Sequence, residues 1–309
     1  YGVDDIGTIT IVDADLNQDS TMRDTYTNSS TTFQVTISTT SGAVTTSQKP
    51  FSGTMTIIET EESSGVFVGT FKVPDFKGAD MEITYYEAKD AASSAVEYYD
   101  TATVVSNTGS ISLDRNVYPV PFTAGDLHDG ADNGDVNNEA GTVTAWVTVT
   151  DVDETNDTLT TGSTSADGTI VAKIDSTTCF TAGSISATSA SGTSAAELGP
   201  LSEVDIGSSS YEVSLSITES LICDGNATLS VNSGDVLQVS YKDTADDAGV
   251  TSTQFDSATF DLRTGTLSVD KDVYVLGSDM VVTLTDADLN LDASSAESYA
   301  MSLIEWDSS

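Results

Sequence analysis

Positive charge is what this chain lacks most: its 309 residues include 10 Lys+Arg against 49 Asp+Glu, a formal net charge of -39. Binding to nucleic-acid phosphates needs a basic surface, so no nucleic-acid partner is expected. Anionic membrane surfaces are disfavoured on the same ground. Histidine is reduced to His128, and no Gly-x-Ser-x-Gly, His-Glu-x-x-His or P-loop pattern occurs, so no catalysis is expected. Paired carboxylates can hydrolyse glycosides, but among so many acids such pairs arise by chance. No apolar run approaches the roughly 18–20 residues that span a bilayer, and the opening Tyr-Gly-Val-Asp-Asp has no basic n-region of a signal peptide.

Cysteine is limited to Cys179 and Cys223, with no Cys-x-x-Cys spacing for zinc or redox work. An even pair reads most simply as one structural disulfide made in an oxidising compartment; two free buried thiols are the other reading. Three sequons, at Asn28, Asn156 and Asn226, would accept N-glycans on an exported chain.

What the chain has in abundance is short alternating segments. GTITIVD, GTMTIIET, GVFVGTFKV, TVTAWVTVTD, YEVSLSIT and DVLQVSY show period-two alternation with β-branched enrichment, bounded by Gly, Asn, Asp and Ser. The pattern predicts antiparallel sheets with one dry face; Ile9 and Ile11 should face a core while Thr8 and Thr10 face water. Only DAASSAVEYYD and TSAAELGPL could hold a turn or two of helix.

Internal repetition then organises the chain. Asp100–Tyr118 aligns ungapped on Asp256–Tyr274 with 9 identities in 19, an offset of 256 − 100 = 156. Tyr1–Asp19 aligns on Tyr274–Asp292, and in both the distance from tyrosine to first aspartate is 12 (13 − 1 and 286 − 274). MEITYYEAKDAAS matches LQVSYKDTADDAG, a match that pairs Asp90 with Asp243. A diverged copy, TVTDVDETND, follows a 21-residue insertion (33 − 12) that contains GDLHDGADNGDVNNE. These matches predict an all-β window from a longer array of tandem immunoglobulin-like sandwiches, divided at residues 1–107, 108–263 and 264–309. A length prior of roughly 100–200 residues per domain agrees with two or three domains.

The recurring acidic phrase carries the chemistry. In Asp-x-Asp-x-Asn-x-Asp, alternate residues put Asp13, Asp15, Asn17 and Asp19 on one side of a local loop, and Asp286, Asp288, Asn290 and Asp292 do the same near the other end. Converging oxygens suit Ca²⁺, which takes roughly six to eight. The middle copy keeps Asp151 and Asp153 and then shifts. EF-hand glycine and glutamate positions are unfilled, so the expected site is a loop-end one; an Asp-rich turn is the competing reading. In the inserted loop, Asp126, Asp129, Asp132 and Asp135 form a second candidate cation site. Arg115 and Lys271, which occupy the same repeat position, are expected to tie a domain junction to the preceding module, and Trp146, on the threonine-bearing face, is expected to contact a neighbouring domain or subunit.

The arrangement SxDxxVY followed by VTLTDADLNLD, repeated in an acidic, Ser/Thr-rich chain, resembles the surface-layer proteins of ammonia-oxidising archaea. That resemblance implies an extracellular lattice of tandem immunoglobulin-like domains, stabilised by divalent cations and in contact with identical neighbours. It would place metal ligation on Asp13, Asp15 and Asn17, and on Asp286, Asp288 and Asn290. Such a coat would attract cations such as ammonium and repel anions through its summed field. A calcium-rigidified adhesin stalk is the rival reading.

Overall fold

A computed structural model describes residues 2, 5–28, 34–39, 55–73, 77–123, 141–154, 158–159, 170–182, 196–224, 227–299 and 303–304. The chain is all-β, and the described residues divide into two compact units, one of residues 1–108 with 244–252, the other of residues 109–243 with 253–309.

The first unit holds β1 (Ile6–Val12), β2 (Thr25–Thr27), β3 (Gln34–Thr39), β4 (Thr56–Glu59), β5 (Val66–Lys72), β6 (Asp80–Glu87) and β7 (Val96–Thr103). They form one sheet ordered β1-β5-β4-β2 and another ordered β3-β6-β7. The alternation of β1 works as its sequence demands: Gly7, Ile9 and Ile11 are buried and Thr8 and Thr10 exposed. Ile9 and Ile11 join Ile57, Phe67 and Phe71 from the first sheet and Met81 from the second in one apolar cluster, which is what makes the two sheets a unit.

One expectation fails here. Val96–Thr103, part of a stretch expected to hold a helical turn, is the eight-residue strand β7, paired with β6 from Asp80↔Thr103 to Glu87↔Val96. Tyr98 and Tyr99 are exposed and the strand has no dry face, so the period-two signal is missing from its sequence.

The second unit begins with β8 (Ser110–Leu113), β9 (Val117–Pro119), β10 (Val143–Thr150), β11 (Thr158–Leu159), β12 (Ile170–Ile174) and β13 (Thr177–Ala182). It continues with β14 (Ala196–Glu197), β15 (Leu201–Glu203), β16 (Ser210–Ile217), β17 (Ser220–Cys223), β18 (Ala227–Ser230), β19 (Val236–Asp243) and β20 (Ser252–Asp261). A five-stranded sheet runs β11-β15-β16-β10-β8 and a six-stranded sheet β14-β13-β12-β19-β20-β9. Between them lies the larger core, with Val143, Ala145, Val147 and Val149 of β10 all at 0% exposure opposite Leu237, Val239 and Phe260. Cys179 of β13 and Cys223 of β17 are buried in it and joined by a disulfide across 44 residues.

Last comes a hairpin of β21 (Thr266–Val269) and β22 (Val282–Thr285), which repeats β8 and β10 residue for residue. Leu113↔Val147 through Ser110↔Thr150 in the one is Val269↔Val282 through Thr266↔Thr285 in the other. Side-chain detail repeats as well. Tyr118 Oη donates to Asp114 Oδ1 (2.6 Å), which also accepts from Trp146 N (2.8 Å). Tyr274 Oη donates to Asp270 Oδ1, which also accepts from Val281 N (2.9 Å).

Because the disulfide closes a long loop inside the core, replacing both partners (Cys179→Ala with Cys223→Ala) is expected to cost about 2–4 kcal/mol. Urea unfolding followed by Trp146 fluorescence reads the loss, and an unchanged midpoint would show that the surrounding core alone fixes β13 and β17.

Candidate functional site

Each acidic phrase starts where a strand stops, and its first aspartate does the same local work. Asp13 Oδ1 accepts from Asp15 N (2.8 Å) and caps a single 3-10 turn over Ala14–Leu16. Asp151 Oδ1 accepts from Asp153 N (3.0 Å). Asp286 Oδ1 accepts from Asp288 N (2.9 Å) and caps Ala287–Leu289. A short carboxylate that bonds its own backbone two residues on is the turn-forming habit of aspartate.

The second oxygen of the cap ties the sheets together. Tyr85 Oη of β6 donates to Asp13 Oδ2 (2.6 Å), and Tyr241 Oη of β19 donates to Asp151 Oδ2 (2.6 Å). Burial first, then the bonded Asp13 carboxylate, pushes the Tyr85 hydroxyl far above its usual value; Tyr241 is raised in the same way by burial and Asp151. Asp151 is 3% exposed, and burial raises its carboxyl despite the hydrogen bonds it accepts.

Around Asp13 the acids crowd. Ligand oxygens of Asp13, Asp15 and Glu87 lie within 4.8 Å of one another, a spacing at which like charges repel. Glu87 is correspondingly raised, by burial and then by Asp13. Three carboxylates are a hard-cation donor set, and Ca²⁺ would take its remaining oxygens from main chain or water. Within the same phrase Asn17 Nδ2 donates to Ser63 Oγ (3.0 Å), while Asn17 Oδ1 is buried without a hydrogen-bond partner.

The predicted ligand sets are thus split. Asp13 and Asp15 come together with Glu87, which the sequence reading missed, whereas Asp19 Oδ1 accepts from Thr21 N (2.9 Å) and Thr21 Oγ1 (2.7 Å). In the middle copy Asp151 and Asp153 are buried beside Asp243, whose Oδ2 accepts from Gly109 N (2.9 Å). The sequence pairing of Asp90 with Asp243 is corrected here. The clasping tyrosines fix the offset at 241 − 85 = 156, so Glu87 is the counterpart of Asp243 and Asp90 that of Asp246. Asp90 Oδ1 accepts from Ala92 N and Ser94 N (2.8 and 2.9 Å), and Asp246 Oδ1 from Ala248 N and Val250 N (2.9 and 3.2 Å).

The third phrase is clamped by side chains of the same unit. Asp288 Oδ2 accepts from Arg263 N (2.7 Å), and Asp288 Oδ1 pairs with Arg263 Nε at 3.2 Å. Arg115, whose side chain is 14% exposed, donates from Nη1 to Asn290 O (2.6 Å) and from Nη2 to Asn290 Oδ1 (3.2 Å). Thr144 N donates to Leu291 O (2.9 Å), and Trp146 Nε1 donates to Asp292 Oδ1 (3.1 Å). Leu291 packs against the core of the second unit. Arg115 therefore holds the phrase that follows it in the chain, not a module that precedes it. Lys271, its counterpart, pairs with Asp270 at 3.4 Å and lies over the Tyr274 ring.

Asp126, Asp129, Asp132, Asp135 and His128 lie outside the described residues, as do Asn156 and Asn226; Asn28 is partly exposed beside β2. No protein-family model and no curated protein matches the sequence.

Two outcomes are expected. Arg115→Ala should cost about 1.5–3 kcal/mol, the usual worth of hydrogen bonds from a charged group, and should speed amide exchange at Asn290–Asp292; unchanged exchange would deprive the clamp of energetic weight. Asp151, raised above its ordinary 3.8, contributes stability that is present below that pH and is lost as pH rises through its folded value. Asp151→Asn, which keeps an oxygen for Tyr241, should flatten that decline in chelator, as read by melting temperature between pH 4 and 8.

Proposed function

We propose that this chain is a structural subunit of an extracellular, self-assembling coat of the surface-layer type. Its tandem sandwiches are of immunoglobulin-like kind, and its role is structural, not catalytic. The observation that carries the reading is a net charge of -39 on a chain that repeats one acidic loop at the end of equivalent strands. A surface this acidic concentrates cations such as ammonium and turns anions away through its summed field. The same charge opposes compaction, which gives a bound divalent cation its structural value: at the Asp13, Asp15 and Glu87 cluster it would neutralise the closest carboxylates. The disulfide agrees with an oxidising, extracellular site, where Asn28, Asn156 and Asn226 would be open to glycosylation.

Calcium enters here as a stabiliser of the folded state by mass action. In millimolar calcium the purified chain should melt at least several degrees higher than in chelator, and electron microscopy should show ordered two-dimensional sheets only with calcium. Glu87→Gln and Asp15→Asn should each reduce the calcium-dependent gain. Calcium-dependent stability with extended monomers and no sheets would favour the adhesin-stalk reading; a melting curve indifferent to calcium would remove the metal from the proposal.

A further inference from the structure

We propose that Glu59 is a positioning residue for the first acidic phrase: from the end of β4 it fixes the backbone of residues 13–24 and so sets the Asp13 and Asp15 carboxylates on which a cation would sit. The role rests on the cation reading above for its ligand and on the hydrogen bonds of one turn for its geometry.

Glu59 is 0% exposed, and backbone donors take up its oxygens at both ends of the phrase. Oε1 accepts from Gly65 N (2.8 Å) and Oε2 from Asp24 N (3.2 Å). Each of these contacts reaches the phrase in one further bond. Where the phrase begins, Gly65 O accepts from Asp13 N (2.9 Å). Where it ends, Asp24 Oδ2 accepts from Gln18 N (2.6 Å) and Asp19 N (3.0 Å), while Asp24 O accepts from Glu59 N (3.0 Å). The bond from Asn17 Nδ2 to Ser63 Oγ (3.0 Å) ties the middle of the phrase to the same turn. Burial by itself would raise the Glu59 carboxyl, but the bonds from Gly65 and Asp24 hold it below its usual value, so it stays an anion that accepts both amides.

The second unit builds the same turn at an offset of 203 − 59 = 144. Ser209 N donates to Glu203 Oε1 (2.9 Å), and Ser209 O accepts from Asp151 N (2.9 Å). Val204 N donates to Ser210 O as Thr60 N does to Val66 O (both 2.8 Å), and Ser208 N to Asp205 O as Ser64 N to Glu61 O (3.0 and 3.3 Å). Gly65 and Ser209 share a left-handed backbone, with φ of 62° and 52°. That residue gives its N–H to the glutamate and its carbonyl to the first aspartate of the phrase. Serine adopts the conformation only at a cost, which the two bonds offset. Between Glu59–Val66 and Glu203–Ser210 only the glutamate and one serine are identical, so the bond pattern reveals a repeat that the letters conceal.

Glu59 stands outside the group formed by Asp13, Asp15 and Glu87, so its influence on a cation passes through Gly65 and Asp24. Like charges brought within 4.8 Å push the loop apart before any cation arrives. A turn that pins both ends of the loop keeps those carboxylates gathered, and a cation then need not reassemble them.

The test is a calorimetric calcium titration of the full chain, at a temperature where every variant is folded by circular dichroism. Glu59→Gln leaves one oxygen for two amides and should weaken calcium about tenfold or more, the usual cost of losing a group that orients metal ligands. In chelator it should also speed amide exchange at Asp13, Gln18 and Asp19 relative to amides of β6. Glu61→Gln and Glu62→Gln remove the same charge from exposed positions of the turn and should change affinity less than about twofold, since solvent screens them. Unchanged affinity in Glu59→Gln, or an equal loss in the Glu61 and Glu62 variants, would overturn the proposal. Should the wild-type chain bind no calcium, the cation reading falls separately and exchange decides: faster rates at the three amides keep Glu59 in its positioning role, unchanged rates remove it. If Glu59→Gln fails to fold, Glu203→Gln, at a partly exposed glutamate, makes the same decision through exchange at Asp151.

Discussion

A carboxylate at the end of a strand, clasped by a tyrosine from the facing sheet, is the contact on which these sandwiches turn. Asp13 and Asp151 each spend one oxygen on the turn that follows the strand and the other on a hydroxyl, from Tyr85 and Tyr241. A single side chain therefore stops the strand, shapes the loop and joins two layers. The cost is a charge held in a partly desolvated place, visible in the raised carboxyl of Asp151. Two charge-assisted hydrogen bonds offset that cost, which is why the first aspartate recurs wherever the strand recurs while its followers drift.

The followers have diverged in use. After Asp13 the next acid, Asp15, meets Glu87 in a cluster that a cation would relieve. In the middle copy the corresponding space holds Gly109 N on Asp243, a neutral donor in place of a cation. At the third copy Arg263 supplies the positive charge to Asp288, and Arg115 and Trp146 of β10 hold the end of the phrase. One sequence phrase thus meets three surroundings: crowded carboxylates, a backbone amide and an arginine.

The dry-faced strands were legible because burial on one side writes period-two alternation into β1 and β10, and the register of β21 with β22 repeats that of β8 with β10 despite the 21-residue insertion between the latter two. β7 was not legible, since a strand exposed on both faces has no reason to alternate. Of the site, the capping aspartates stood out by repetition, but Glu87 is one acid among many and is brought to Asp13 only by the pairing of distant strands. Misaligning Asp90 with Asp243 has a local cause: the dipeptide Lys89-Asp90 matches Lys242-Asp243, whereas the structure aligns on the clasping tyrosines. Short identities mislead where composition is biased, and a side chain with a packing job is the better anchor.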